Sequence, residues 1–492
     1  MSPVLALAVA LRFISCAAAG AASPEPVPAL ILQRSLPLSG THLERLKEHD
    51  RSRLARKRKN GAAAEGFYLD GMPGLYYAHV KLGTPLKEYS LQFDTGSDVL
   101  WVSCTPCTGC PTSTVLNITL EFYDPNSSST SSKILCSDNR CTYALETGAA
   151  VCNPSDSRSS QCGYTNTYVD GSATSGYYVS DTLHFDAFMR NEQGVSSSAS
   201  VFFGCSTSRS GNLHTDGIIG FGKNAMSVIS QLKTQGMSPK VFSHCLKGSK
   251  EGGDVLVLGE LVEPGFVFTP LVQSQPHYSV NMKSIHVSGK EVSIDSSLFT
   301  TSNTKGTIVD SGTSLAYLAD GIYGPVTRAI KASVVQSVGT FEDMGDDCYF
   351  VSRSNSTDSL FPTVTLYFDG GAAITLVPKD YLVLRGYYDE DLSSKKNDIE
   401  EILCIGFQRS QSIDNYEQTT ILGDLVLHDK VFVFDLEKMR MGWVKYNCSL
   451  LTTTSSSMGD RLASPNNGLI AIGLTILHIS VIASINARIF SS

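Results

Sequence analysis

The sequence predicts an all-β molecule built as two related β-rich lobes with an active-site cleft between them, and three observations lead there. From about residue 66 to 447, short alternating apolar runs are separated by Gly, Pro, Asn, Asp and Ser, and long amphipathic helical patterns are scarce. An Asp-[Ser/Thr]-Gly-[Ser/Thr] motif occurs twice, each time behind an apolar strand. Each copy is followed, more than a hundred residues later, by two aliphatic residues and a glycine.

Composition sets the frame. The chain has 492 residues, 42% hydrophobic and 17% charged, which is enough apolar material for a sizeable core. Residues 1–66 hold ten Lys/Arg against five Asp/Glu; with a net charge of -8 overall, the remainder carries -13. An acidic body argues against a nucleic-acid partner, because neutralising phosphates needs a basic face.

In chain order, residues 1–22 are small and apolar, with Ala17-Ala18-Ala19 and Ala19-Gly20-Ala21 as cleavage-like sites, and read as a signal peptide. Residues 23–66 read as a removable basic prosegment, with a basic helix around Leu43, Leu46 and Leu54 and the run Arg56-Lys57-Arg58-Lys59 as a processing site. Residues 67–270 form the first lobe. There Tyr76–Leu82 and Tyr89–Phe93 read as strands, with Gly83-Thr84-Pro85 turning between them. Residues 271–448 form the second lobe. Residues 449–492 are a Ser/Thr-rich linker and the 17-residue uncharged run Leu469–Ile485. Small residues, a polar spacer and an apolar tail form a glycolipid (GPI) anchor signal; a short transmembrane helix is the competing reading. The expected location is the extracellular face of the plasma membrane, or secretion.

Thirteen cysteines include Cys16 in the apolar leader, leaving twelve, hence up to six disulfides in an exported chain. The run Cys104-x-x-Cys107-x-x-Cys110 lacks a second ligand pair at zinc spacing, so no metal or other cofactor is expected. The sequons at Asn117, Asn126, Asn355 and Asn447 are candidate glycosylation sites and agree with export. No H-E-x-x-H pair and no G-x-S-x-G turn is present, which argues against metalloprotease and serine-hydrolase chemistry. His244 and His277 read as structural.

The chemistry sits in the repeat. Its first copy is Leu91-Gln92-Phe93-Asp94-Thr95-Gly96-Ser97, echoed by Gly217-Ile218-Ile219-Gly220. Its second is Gly306-Thr307-Ile308-Val309-Asp310-Ser311-Gly312-Thr313, echoed by Thr420-Ile421-Leu422-Gly423. From Asp to second aliphatic the intervals are 125 and 112 residues. Hydrolysing an amide without metal or covalent intermediate needs one carboxylate as base and another as acid. Two carboxyls held close share one proton, because both cannot ionise cheaply. Asp94 and Asp310 are therefore the expected catalytic pair. Gly96 and Gly312 let each backbone turn tightly. The hydroxyls of Thr95, Ser97, Ser311 and Thr313 are available to orient the carboxylates.

These motifs resemble those of the pepsin-like aspartic proteases, in particular the plant branch with nepenthesin-like and GPI-anchored members. The resemblance covers roughly Leu75 to Tyr446. It implies the bilobal pepsin-like fold, a monomer, and aspartic-type endopeptidase activity at acid pH on an extended peptide or protein. A catalytically silent binding or inhibitor protein on the same fold is the alternative. Trp101 matches the family's tryptophan seven residues after the first Asp. Tyr168-Val169-Asp170-Gly171 matches the flap, which implies that Tyr168 is the flap tyrosine, with Trp101 bonded to its hydroxyl. Tyr164 is a rival for that role. Asp170 and Gly171, with Gly96, Gly312 and Thr313, would border the substrate. Val169 departs from the usual glycine. A Cys348–Cys404 pair in the second half is likewise implied by resemblance.

Overall fold

The computed structural model describes residues 27–34, 76–113, 119–152, 159–168, 172–189, 192–211, 213, 215–248, 254–261, 263–343, 345–388, 400–410 and 416–448. The leader 1–22, the polybasic run and the apolar run Leu469–Ile485 lie outside these residues. So do Asn117, Val169, Asp170 and Gly171. Among the described residues no helix is long and apolar enough to cross a membrane.

The chain is mostly strand, as its alternating pattern predicts. Tyr76–Leu82 and Lys87–Asp94 pair antiparallel, with Leu82 opposite Lys87. Period-two alternation buries Tyr76, Ala78, Val80 and Leu82 and leaves Tyr77, His79 and Lys81 half-buried. Gly83 starts the turn at φ 84°, a left-handed conformation that L side chains rarely adopt. The helix Tyr323–Ser333 follows the other periodicity: Tyr323, Val326, Thr327 and Ile330 fall on one face and are buried, and the helix packs on the strand Met282–Val287.

The described strands collect into one sheet of fourteen, one of five and two of four. The largest takes strands from both halves of the sequence. Lys430–Asp435 pairs with Val241–Leu246, and Arg440–Lys445 lies between Lys430–Asp435 and Val267–Pro270. The end of the chain is thus sewn into the sheet of the first half, and the Cys245–Cys448 disulfide crosses there too. At the centre of this junction Phe242 stacks on Phe434 at 4.6 Å, with Phe93, Phe221 and Tyr278 edge-on around them. These rings bury the apolar area that holds the two halves together.

Part of the expected prosegment is structured differently from a basic tail. Val27–Arg34 is a strand inside the large sheet, between Asp254–Val257 and Tyr76–Leu82, with Leu30 opposite Leu256 and Gln33 opposite Tyr77. Its Ala-Leu-Ile-Leu stretch is the apolar part of an otherwise polar and basic prosegment, which suits this piece to pairing in a sheet.

Six disulfides join the described cysteines: Cys104–Cys205, Cys107–Cys110, Cys136–Cys152, Cys141–Cys162, Cys245–Cys448 and Cys348–Cys404. The three clustered cysteines at 104, 107 and 110 are consumed in two of these bonds.

Candidate active site

Each Asp sits where a strand ends between two others. Lys87–Asp94 runs parallel to Gly217–Gly220, with Phe93 opposite Ile219, and Gly217–Gly220 in turn pairs antiparallel with Trp101–Thr108. The second half repeats this arrangement: Gly306–Val309 runs parallel to Thr419–Leu422, with Val309 opposite Leu422, and Thr419–Leu422 pairs antiparallel with Ala316–Leu318. The aliphatic echoes are therefore the strands lying beside each Asp-bearing strand. Their glycines are required by the loop that crosses them. A Cβ on Gly220 would lie 2.4 Å from the Asp98 carbonyl carbon, and one on Gly423 would lie 2.2 Å from the Leu315 oxygen. Only a hydrogen fits there.

The two carboxylates are held in matching cages. Asp94 is buried; Oδ1 accepts the Gly96 amide at 2.8 Å and Oδ2 the Ser97 hydroxyl at 2.6 Å. Asp310 is buried; Oδ1 accepts the Gly312 amide at 2.8 Å and Oδ2 the Thr313 hydroxyl at 2.6 Å. The loops meet. The Thr95 amide donates to Ser311 Oγ at 3.1 Å, and the Ser311 amide donates to Thr95 Oγ1 at 2.9 Å. A Cβ on Gly96 would lie 2.6 Å from Asp310 Oδ1, so the first loop's backbone rests directly on the second carboxylate. Amide and hydroxyl donors of this kind favour an ionised carboxyl and fix its orientation.

A cavity of about 310 Å³ opens over this junction, lined by Gly96, Ser97, Asp310, Ile308 and Tyr168 among others. Tyr168 follows the strand Gly163–Thr167, and its amide closes a hairpin onto the Ser172 carbonyl at 2.9 Å. The Trp101 Nε1–H donates to the Tyr168 hydroxyl at 2.6 Å. Tyr164 faces the interior instead, its hydroxyl bonded to Thr174 at 2.9 Å. Of the candidate glycosylation residues, Asn126, Asn355 and Asn447 are exposed.

Residues not singled out from sequence also line this cavity: Asp98, Thr147, Gly148, Ala149, Asn224, Met226 and Tyr416. Burial pushes the Asp98 carboxyl above its ordinary range, while the Asn224 amide on Oδ1 at 2.9 Å and the nearby His277 oppose that shift. Thr147, Gly148 and Ala149 follow the helix Asn139–Glu146, which the Cys136–Cys152 and Cys141–Cys162 disulfides tie down. His277, expected to be structural, stands at the cavity wall. His244 is fully buried against Phe93, Phe432 and Phe434.

Comparisons with known proteins agree with this construction. Residues 76–260 match the family model described as "Xylanase inhibitor N-terminal", and residues 277–445 match "Xylanase inhibitor C-terminal". The chain is 33% identical over 456 residues to "Aspartic proteinase 36" of Arabidopsis thaliana, covering 91% of this chain and 90% of that protein. It is 35% identical over 419 residues to "Aspartic proteinase 39" of Arabidopsis thaliana, covering 83% of this chain and 82% of that one. It is 30% identical over 343 residues to "Aspartic proteinase nepenthesin-1" of Nepenthes gracilis, covering 67% and 72%. Among solved structures, basic 7S globulin from soybean superposes with a TM-score of 0.56 at 20% identity, over 86% of this chain and 98% of that one. Conglutin gamma from lupine seeds gives 0.58 at 19%, over 88% and 99%. The shared fold, the paired Asp loops and these relatives together show that the chain belongs to the pepsin-like plant aspartic protease family.

Proposed function

We propose that this member is an active aspartic-type endopeptidase that hydrolyses peptide bonds by activating water at the Asp94/Asp310 pair. The observation that supports it most directly is the matched cage: each carboxylate has one amide and one hydroxyl donor, and the Thr95–Ser311 clasp joins the two loops.

The pair shares one proton, since two neighbouring carboxyls resist double ionisation. The ionised member takes a proton from a water lying between them. The resulting hydroxide oxygen bonds to the scissile carbonyl carbon, while the protonated member donates its hydrogen bond to the carbonyl oxygen. A proton then passes to the leaving nitrogen as the C–N bond breaks. The proton belongs to the pair and not to either residue. The substrate is an extended peptide, held in part through its backbone beneath the Tyr168 hairpin. The enzyme works as a monomer, needs no cofactor, and is most active at acid pH, because losing the shared proton removes the acid.

We further place it in the secretory pathway, with residues 1–22 removed, residues 23–66 acting as a prosegment, and residues 449–492 directing lipid anchoring at the outer membrane face. Release by a phosphatidylinositol-specific phospholipase tests the anchor; retention on membranes after that treatment contradicts it.

A second reading is a catalytically silent binding or inhibitor protein. Both halves match family models of xylanase inhibitor domains, which supports it. Cleavage of a peptide library by purified protein between about pH 3 and 7, an interval spanning the ordinary Asp range, separates the two. Acid-dependent cutting that a statine-type transition-state mimic blocks supports the enzyme. No cutting at any pH supports the silent protein.

A further inference from the structure

We propose that Arg209 is a positioning residue for the flap: its guanidinium, lying over the Trp101 indole, fixes the ring whose Nε1–H holds the Tyr168 hydroxyl at the cavity that Asp310 lines. This rests on the peptidase reading above.

Arg209 lies near the end of the strand Glu192–Ser210 and is 5% exposed. Its guanidinium carbon lies 5.0 Å from the centre of the Trp101 ring. Nη1 donates to Ser103 Oγ at 2.6 Å and to the Thr215 carbonyl at 2.8 Å. Both partners belong to the framework that carries Trp101. Ser103 is two residues along the same strand. Thr215 leads into Gly217, where a Cβ would lie 2.0 Å from the Trp101 carbonyl oxygen. The guanidinium is thus held, through Nη1, by the same framework that sets the indole.

The cation is not there to satisfy a carboxylate. Asp216 acts on it through space, but Asp216 spends its oxygens on the Ser90 and Glu121 amides at 2.7 and 2.8 Å. Arg209 Nε and Nη2 are buried with no protein hydrogen bond among the described residues. A buried cation left without a hydrogen-bonded anion is costly, so a side chain needed only for packing would be apolar. What the charge does meet is the face of an indole that is fully buried and itself bonded to Tyr168. A cation on that face is attracted by the ring's electrons. It also draws density from the ring and so strengthens Nε1–H as a donor, in the way linked polar groups polarise one another. The chain of contacts runs Arg209, Trp101, Tyr168, cavity.

The test is a cycle of Arg209→Met and Tyr168→Phe, read as kcat and KM for a peptide well below the melting temperature. R209M keeps the stem over the ring and removes the charge. It should lower kcat/KM by about 10- to 100-fold, the scale of a slightly misplaced group, and should add less than about twofold in the Y168F background, since coupled sites are not additive. R209K, which restores a cation, should recover part of the loss. An equal loss in both backgrounds, or wild-type activity in R209M, overturns the proposal. The protein has two tryptophans, so Trp443→Phe leaves Trp101 as the sole tryptophan emitter. In that chain Y168F should shift Trp101 emission, and R209M (or R209K, should R209M not fold) should diminish that shift. An undiminished shift overturns the proposal. This second readout needs no turnover, so a wild-type protein that cuts nothing defeats the peptidase reading while Arg209 is still judged.

Discussion

Thr95 and Ser311, 216 positions apart in sequence, exchange amide-to-hydroxyl hydrogen bonds at 3.1 and 2.9 Å beneath the two carboxylates. Both residues are buried, so removing either hydroxyl strands an amide where water does not replace the lost acceptor. Thr95→Val and Ser311→Ala should each cost about 1–3 kcal/mol in urea denaturation, and the double variant, which strands both amides, should cost more than either. Near-wild-type stability of both single variants would mean that the two loops are not clasped.

The glycine echoes lead to a steric prediction. Gly423→Ala places a methyl 2.2 Å from the Leu315 oxygen and 2.3 Å from the Thr313 oxygen, and those are backbone atoms that cannot swing aside. The loss should reach about 3 kcal/mol or more, at the upper end for overpacking, and should appear as a lowered Tm and reduced soluble yield. A near-wild-type melting curve for G423A would contradict the packing described around the second carboxylate.

His244 sets a pH dependence of stability. Burial among aromatic rings pushes its imidazole down to about 3, whereas the unfolded side chain titrates near ~6.5. Its folded pKa is therefore the lower one. Above ~6.5 both states are neutral and nothing is lost. As pH falls toward 3, the unfolded state takes up the proton first and stability drops, by up to about 4–5 kcal/mol over the whole interval. His244→Phe should flatten this slope between about pH 6.5 and 4, measured by urea denaturation at each pH. An unchanged slope would show that this histidine is not held neutral.

The prosegment strand gives a fourth prediction. Val27–Arg34 fills the space between Asp254–Val257 and Tyr76–Leu82. A chain beginning at residue 67 leaves two unpaired edges in the middle of the large sheet, which invite association. It should melt lower than the chain retaining residues 27–34, while staying monomeric at low concentration. Equal melting would show that the strand is dispensable.

How much of this is legible in the sequence differs from element to element. The hairpin at Tyr76–Leu82 and Lys87–Asp94 follows from local alternation and a turn glycine, both short-range signals. The repeat exposes the two Asp-bearing strands and their parallel neighbours, because a glycine that must pass under a crossing loop leaves a mark in composition. The insertion of Lys430–Lys445 into the first half's sheet is not legible, since pairing across about two hundred residues leaves no periodic trace. Nor are the cavity roles of Asp98 and His277: a single polar residue at a strand end looks the same whether it faces solvent or a cleft. Arg209 reads as an ordinary strand residue until its strand is placed beside Trp101.

The central claim is that Asp94 and Asp310 act as one proton-sharing pair. Asp94→Asn keeps the shape of the side chain and removes its charge. Purified D94N and D310N should each melt within a few degrees of wild type and cut the best library peptide at least about a thousandfold more slowly at acid pH, because neither can share a proton with its partner. Cleavage by well-folded D94N at the wild-type rate would contradict the account.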